Sequence, residues 1–383
     1  MWRSLRIRTL IAGLLLAVSL GGAEAKDPQG ALGANFNEHL ADLRFDELEL
    51  GQTKWVRGFY AMPLADKKAP MDDPGIRKFL QARERGYGVV LNMKFPYQRR
   101  AFPKPGTPQM AREMRRVTKL LNAVMGRVDI LVIGNEPFIE SRRTDRNENL
   151  NAFYEYITKQ VIAFRRDSCG ANCSTQLYLG ALNGLQRAKN HTAATDRWVR
   201  YAASEPDIRG VDIHPHVASI EDSRPFVDYV LQRLRPDQRF LVTEFSLVRH
   251  WKKHLTDVAP AGFLSRYDMA ANLKVWQVIG AAIKSPFPQA KWNDFLASSP
   301  WYESRRNYIC NQMALFRATR RLAVATHGYI QGRSAATNWG PDKTPWLLNS
   351  VFAQQTVRSW PDGTPGRGYA WIDNFRRCAE ANP

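Results

Sequence analysis

The chain has 383 residues, with 55 lysines and arginines against 36 aspartates and glutamates, for a formal net charge of +19. Its 44% hydrophobic and 11% aromatic residues can fill a large packed core, which excludes a disordered or fibrous protein. So basic a chain favours anionic partners, but its lysines and arginines are scattered rather than striped along one helix, so nucleic acid is not expected among them.

Residues 1–25, MWRSLRIRTLIAGLLLAVSLGGAEA, place Arg3, Arg6 and Arg8 ahead of an apolar run from Leu10 to Leu20 and end in Ala23-Glu24-Ala25. That is the pattern of a secretory signal peptide cleaved after Ala25. The apolar run is about half the ~20 residues that a membrane span needs. The expected mature protein, residues 26–383, is therefore periplasmic or secreted, one domain without a membrane span, and a monomer. Losing three arginines and one glutamate leaves it 52 basic and 35 acidic residues, or +17. An anionic polysaccharide or lipopolysaccharide suits that charge outside the cell, as does plain solvation of the surface.

From residue 31 onward, short apolar runs alternate with longer amphipathic stretches. The expected strands are Leu32–Phe36, Trp55–Tyr60, Gly88–Phe95, Asp129–Gly134, Gln176–Leu182, Gly210–His214, Arg239–Glu244 and Ala335–Trp339. Between them, apolar residues at three- and four-residue spacing predict helices over Gly75–Arg85, Gln109–Met125, Asn149–Arg166, Thr195–Ser204, Pro225–Arg235 and Tyr267–Ile283. Eight βα units predict a (β/α)8 TIM barrel in the α/β class. No glycine-rich phosphate loop follows the first strand, which argues against an open doubly wound sheet. Residues from about Pro286 to Tyr329, including a helical pattern over Tyr308–Ala325, form an expected insertion between strands seven and eight. Four cysteines in an exported chain predict two disulfides, Cys169 with Cys173 and Cys310 with Cys378. Neither pair has the partners of a tetrahedral zinc site.

Active sites of such barrels lie at the carboxyl ends of the strands. Asp129-Ile-Leu-Val-Ile-Gly runs into Asn135-Glu136-Pro137, and Arg239-Phe-Leu-Val-Thr runs into Glu244-Phe245. Each strand thus presents one carboxylate, at positions four and seven. Glycosidic hydrolysis needs a proton donor to the leaving oxygen and a second carboxylate across the sugar, a task such a pair can perform.

With IGNEP at strand four and VTEF at strand seven, the chain resembles the retaining glycoside hydrolases of clan A, the 4/7 superfamily of cellulases, mannanases and xylosidases. Within the clan it looks nearest to family-39-like and family-5-like bacterial proteins, some of which trim exported polysaccharides. The resemblance covers nearly the whole mature chain. It implies a general acid/base at Glu136, a nucleophile at Glu244 and a sugar 2-hydroxyl partner at Asn135. It further implies that Arg57, on strand two, holds the nucleophile ionised, and that His214, or else His216, stands beside it at strand six. Trp339, in Thr337-Asn-Trp-Gly340, matches the clan's sugar platform at strand eight. No cofactor or metal is expected.

Asn35, Asn92, Lys94 and Asn183 are further polar residues expected at the barrel rim, and Lys94 departs from the His or Trp of many clan members. A non-catalytic polysaccharide-binding or assembly protein on the same scaffold is the alternative reading. A metal-dependent phosphodiesterase or deacetylase would need a His/Asp ligand cluster, and the sequence offers only Asp212, His214 and His216 for one.

Overall fold

A computed structural model describes residues 27–170 and 172–380, so the expected signal peptide lies outside the described residues. Eight parallel strands close into a barrel in sequence order. They are β1 (Ala31–Asn35), β2 (Trp55–Ala61), β3 (Gly88–Lys94), β4 (Ile130–Ile133), β5 (Gln176–Asn183), β6 (Ile208–His214), β7 (Arg239–Phe245) and β8 (Leu322–Gly328). β8 pairs with β1 over five residues, Ala31 to Asn35 against Val324 to Gly328, and completes the (β/α)8 fold.

Alternation along the strands sorts side chains to two apolar clusters. Val56, Leu91, Leu131, Leu177 and Val242 belong to the larger one, shared with the surrounding helices. Trp55, Val90, Ile130, Val132, Tyr178 and Leu241 belong to a separate, smaller cluster that the alternation turns into the barrel. Trp55 is its bulkiest member and needs small neighbours. A Cβ built on Gly33 would stand 2.7 Å from Trp55 Cβ, and one on Gly88 would stand 2.4 Å from the indole ring. Two residues further along, the same inward positions turn polar, as Asn35, Arg57, Asn92 and Thr243. The apolar layer is therefore a plug beneath a polar one.

The expected eighth strand is displaced. Helix Tyr308–Arg317 ends earlier than the periodicity predicts, the chain reverses at Arg320 with φ 58°, and Leu322–Gly328 is the strand. All seven of its residues are buried, so it carries no two-residue alternation to separate it from a buried helix. Residues 335–339 instead follow the strand as the end of a 3-10 turn, Arg333–Ala335, and the irregular chain after it. The helix expected over Tyr267–Ile283 is helical only from Val275, as Val275–Lys284; the residues before it form a turn after helix Ala261–Arg266, with Asp268 at φ 50°. No helix among the described residues is long and apolar enough to cross a membrane.

Both disulfides join the expected partners. Cys310–Cys378 spans 68 residues and ties the C-terminal helix Trp371–Glu380 to helix Tyr308–Arg317, which leads into β8. Closing so long a loop restricts the unfolded chain, so replacing both cysteines by serine should cost about 2–4 kcal/mol. Denaturant titration of the oxidised wild type and the double variant measures this, and equal stabilities would refute it.

Candidate active site

Arg57 organises the polar layer. It is completely buried, and each of its nitrogens is engaged by a residue at a strand end. Nε donates to Asn92 Oδ1 at 2.9 Å, and Nη2 donates to Asn135 Oδ1. Nη1 reaches Asn35 Oδ1 at 3.1 Å, Asn37 Oδ1 at 3.2 Å and Glu244 Oε1 at 2.7 Å. A buried guanidinium is tolerable only with such partners.

A second chain of contacts starts from Asp212, which is also fully buried. It accepts from Asn92 Nδ2 at 3.1 Å and from the Thr243 amide at 2.9 Å, and it bonds the Thr243 hydroxyl. His214 stands between this acid and the two glutamates. Its Nε2 lies 2.9 Å from Thr243 Oγ1 and 3.4 Å from Asp212 Oδ2; its Nδ1 lies 3.2 Å from Glu136 Oε1 and 3.8 Å from Glu244 Oε1. Asn183 donates to Glu136 Oε1 at 2.7 Å. His216 bonds Ser246 Oγ at 2.8 Å and points Nε2 at Glu244 Oε2, 3.6 Å away.

Six of the seven singled-out residues thus gather: Arg57, Asn135, Glu136, His214, His216 and Glu244. The rim residues Asn35, Asn92 and Asn183 join them through hydrogen bonds. Asn135 spends its carbonyl on Arg57 and one amide donation on Glu140 Oε1, at 2.9 Å. Trp339 does not line the cleft; its indole nitrogen donates to the Trp276 carbonyl at 2.8 Å. The tryptophan that does line it is Trp346, packed edge-on to His216 with 4.9 Å between ring centroids. Sequence reasoning passed over Trp346 because it misplaced β8, and passed over Glu140 and Asn37 because neither ends a strand. Asp212 had a signal: it lies two residues before His214 and so shares its inward face.

Glu136 and Glu244 open on a cleft of about 610 Å³ that is also lined by Phe59, Lys94 and the segment after β8. Lys94 lies 4.2 Å above the Phe59 ring, and its ammonium is paired with buried Glu140 at 3.3 Å. Burial by itself pushes both catalytic candidates up. For Glu244, the charges of His214 and Arg57 and the contact with His216 overcome that and hold the carboxyl well below its usual range. For Glu136, burial and the repulsion of Glu244 are outweighed only by the hydrogen bond with His214 together with the charges of His214 and His216, and the carboxyl lies below its ordinary value. Arg57 touches Glu244 and not Glu136, so Glu136 is the easier of the two to protonate. His214 responds in the opposite sense. Burial disfavours its charge, but Glu244 and Asp212 push it up to about 10.

Glu136, His214, His216 and Glu244 each offer one ligand atom within 4.8 Å of the others, a grouping that could hold a metal ion. The donor set fits a metal poorly. His214 is protonated at neutral pH and has both nitrogens engaged, whereas a ligating imidazole must be neutral. Arg57 already supplies the positive charge at Glu244.

No protein-family model matches the sequence, nor does any curated protein. Among solved structures, the chain is similar to the GH53 catalytic domain of Ignisphaera aggregans, at 14% identity over 91% of each chain with a TM-score of 0.44. It is also similar to a GH5-4 broad specificity endoglucanase from Clostridium acetobutylicum, at 8% identity over 91% of this chain and 96% of that one with a TM-score of 0.48. A third is the glycosylated GH10 endo-β-1,4-xylanase of Gloeophyllum trabeum, at 12% identity over 91% and 96% with a TM-score of 0.44. At such identities the chemistry must be argued from the site itself.

The raised His214 gives a signed pH test. A histidine whose folded value exceeds its ordinary 6.5 contributes stability fully below that pH and loses it as the pH rises through about 10. His214→Asn should therefore cost most near pH 6, with the difference from wild type shrinking toward pH 10. Denaturant midpoints across that range measure it; a difference that stays constant or grows would contradict the charged state of His214.

Proposed function

We propose that the protein is an exported retaining glycoside hydrolase of the clan A kind, cleaving a β-linked polysaccharide by double displacement. The observation that carries this is the spacing of the two glutamates. One oxygen of each carboxylate lies within 4.8 Å of the other. A retaining pair works at about 5–5.5 Å, whereas an inverting pair needs roughly 6.5–9.5 Å to admit a water.

In the first step Glu244 bonds the anomeric carbon while the glycosidic oxygen leaves with the proton of Glu136. In the second, water gives its proton to Glu136 and its oxygen to the same carbon, and Glu244 is released as a carboxylate. The electrostatics support the division of labour. His214 and Arg57 keep Glu244 ionised for attack. While Glu244 is charged it raises Glu136; once it is esterified that repulsion is gone, and Glu136 ionises more easily to act as the base. His214 and Asn183 hold Glu136 in place. The N-terminal pattern and the two disulfides support an oxidising compartment outside the cytoplasm.

Substitution separates the two roles. Glu244→Ala should abolish turnover of an aryl glycoside and recover with azide as a product of inverted configuration. Glu136→Ala should lose polymer hydrolysis by about 10²–10⁴-fold yet spare substrates whose leaving group needs no proton. Full activity in either variant would refute the assignment. Prolonged chelation should leave the rate unchanged; a loss restored by zinc would favour a metal hydrolase built on the same four side chains.

A further inference from the structure

Beside the main cleft lies a second cavity of about 240 Å³, on the Glu136 side. Asn183, His214 and His216 form its inner wall; neither glutamate lines it, but Asn183 and His214 both bond Glu136 Oε1, which puts it on the Glu136 side. Under the reading above, Glu136 protonates the departing oxygen, so the space beyond it receives the sugar on the leaving side of the scissile bond.

Three guanidinium groups line that space, from Arg146, Arg187 and Arg249. None forms an ion pair with a carboxylate among the described residues, unlike Lys94, which Glu140 neutralises in the main cleft. Arg146 spends Nη2 on the carbonyls of Ser141, at 3.1 Å, and Ile139, at 3.4 Å, and its Nε is buried with no partner. Arg249 fixes its Nε on the His216 carbonyl at 2.6 Å, which leaves its two terminal nitrogens free to face a ligand. Burial and the nearby charge of Arg187 disfavour the Arg249 cation, and burial likewise disfavours that of Arg146. Asp222 offsets part of this at Arg249, but converging cations with no ion-pair partner remain costly, and an anion relieves the cost. Phe138 and the 47% exposed Ile139 add an apolar wall that suits a pyranose face.

We infer that this cavity is a binding site for an acidic sugar, whose carboxylate or sulfate is held by Arg146, Arg187 and Arg249 on the leaving side of the cleaved bond. The inference rests on the hydrolase reading for which side is which, and it makes the natural substrate an acidic polysaccharide. Guanidinium forks pair with either anion in bidentate fashion, so the two sources share one recognition chemistry.

Arg187 and Arg249 are exposed, so their substitution leaves the fold intact. The test is affinity electrophoresis of wild type, Arg187→Ala/Arg249→Ala and a charge-matched control, Arg166→Ala/Arg306→Ala, in gels containing a polyuronate, dextran sulfate or neutral dextran. Wild type and control should be retarded by an acidic polymer and not by neutral dextran, and the cavity variant should bind that polymer about tenfold more weakly. Retardation by the polyuronate assigns a carboxylate, and retardation by dextran sulfate alone assigns a sulfate ester. Equal loss in the control and the cavity variant would reduce the effect to net charge and overturn the inference, as would equal retardation by neutral dextran. Aryl glycoside turnover by the wild type reads the hydrolase proposal separately: absent turnover with arginine-dependent binding would sink that proposal and leave an acidic-polysaccharide-binding protein.

Discussion

The ion pair between Arg57 and Glu244 is the constraint on which the remainder of the site depends. A guanidinium with no solvent exposure is tolerated only if its nitrogens find partners, and the five groups that partner them come from the ends of β1, β3, β4 and β7 and the turn after β1. Those strands are adjacent only once the barrel has closed. Closure in turn needs the apolar plug of Trp55 and its neighbours beneath, with glycines at 33 and 88 to admit the indole. The geometry of the site is thus a product of the whole barrel, and the charge that holds Glu244 ionised also anchors the polar layer.

The same arrangement makes two chemically identical side chains unlike. Glu244 has Arg57 on one side and His216 on the other, whereas Glu136 is held by an amide, Asn183, and by an imidazolium that it shares with Asp212 and Glu244. Asp212 is remote from the cleft but matters to it, because Glu244 and the buried charge of Asp212 together keep His214 protonated. Charge in the main cleft is largely paired internally. The unpaired cations lie to one side, around the cavity lined by Arg146, Arg187 and Arg249.

Much of this was legible in the sequence because each glutamate ends an apolar strand, and the strand is a stronger signal than the three letters Asn-Glu-Pro. The pairing of Arg57 with Glu244 is implied by the clan A resemblance and not by strand pairing, since β1 and β8 separate β2 from β7. What escaped did so for physical reasons. β8 is buried on every residue and follows a helix after only four residues, so periodicity ran the helix into it and moved the strand to 335–339. The tryptophan was misplaced with it: Trp339 caps a helix carbonyl while Trp346 faces the cleft. The break at Asp268 depends on a left-handed turn that an aspartate can adopt but does not announce. The arginine-lined cavity draws on loops after β4, β5 and β7, and nothing in their spacing predicts that Arg146, Arg187 and Arg249 meet.

The central claim is that Arg57 splits the two glutamates, so that Glu136 takes the proton and Glu244 stays ionised. Carbon NMR of protein labelled at the glutamate side-chain carboxyl tests this without any substrate, with Glu136→Gln and Glu244→Gln assigning the two resonances. On lowering the pH, the Glu136 carboxyl should protonate first, and Glu244 should remain ionised until well below its usual range. Protonation of Glu244 ahead of Glu136, or of both together, would contradict the account.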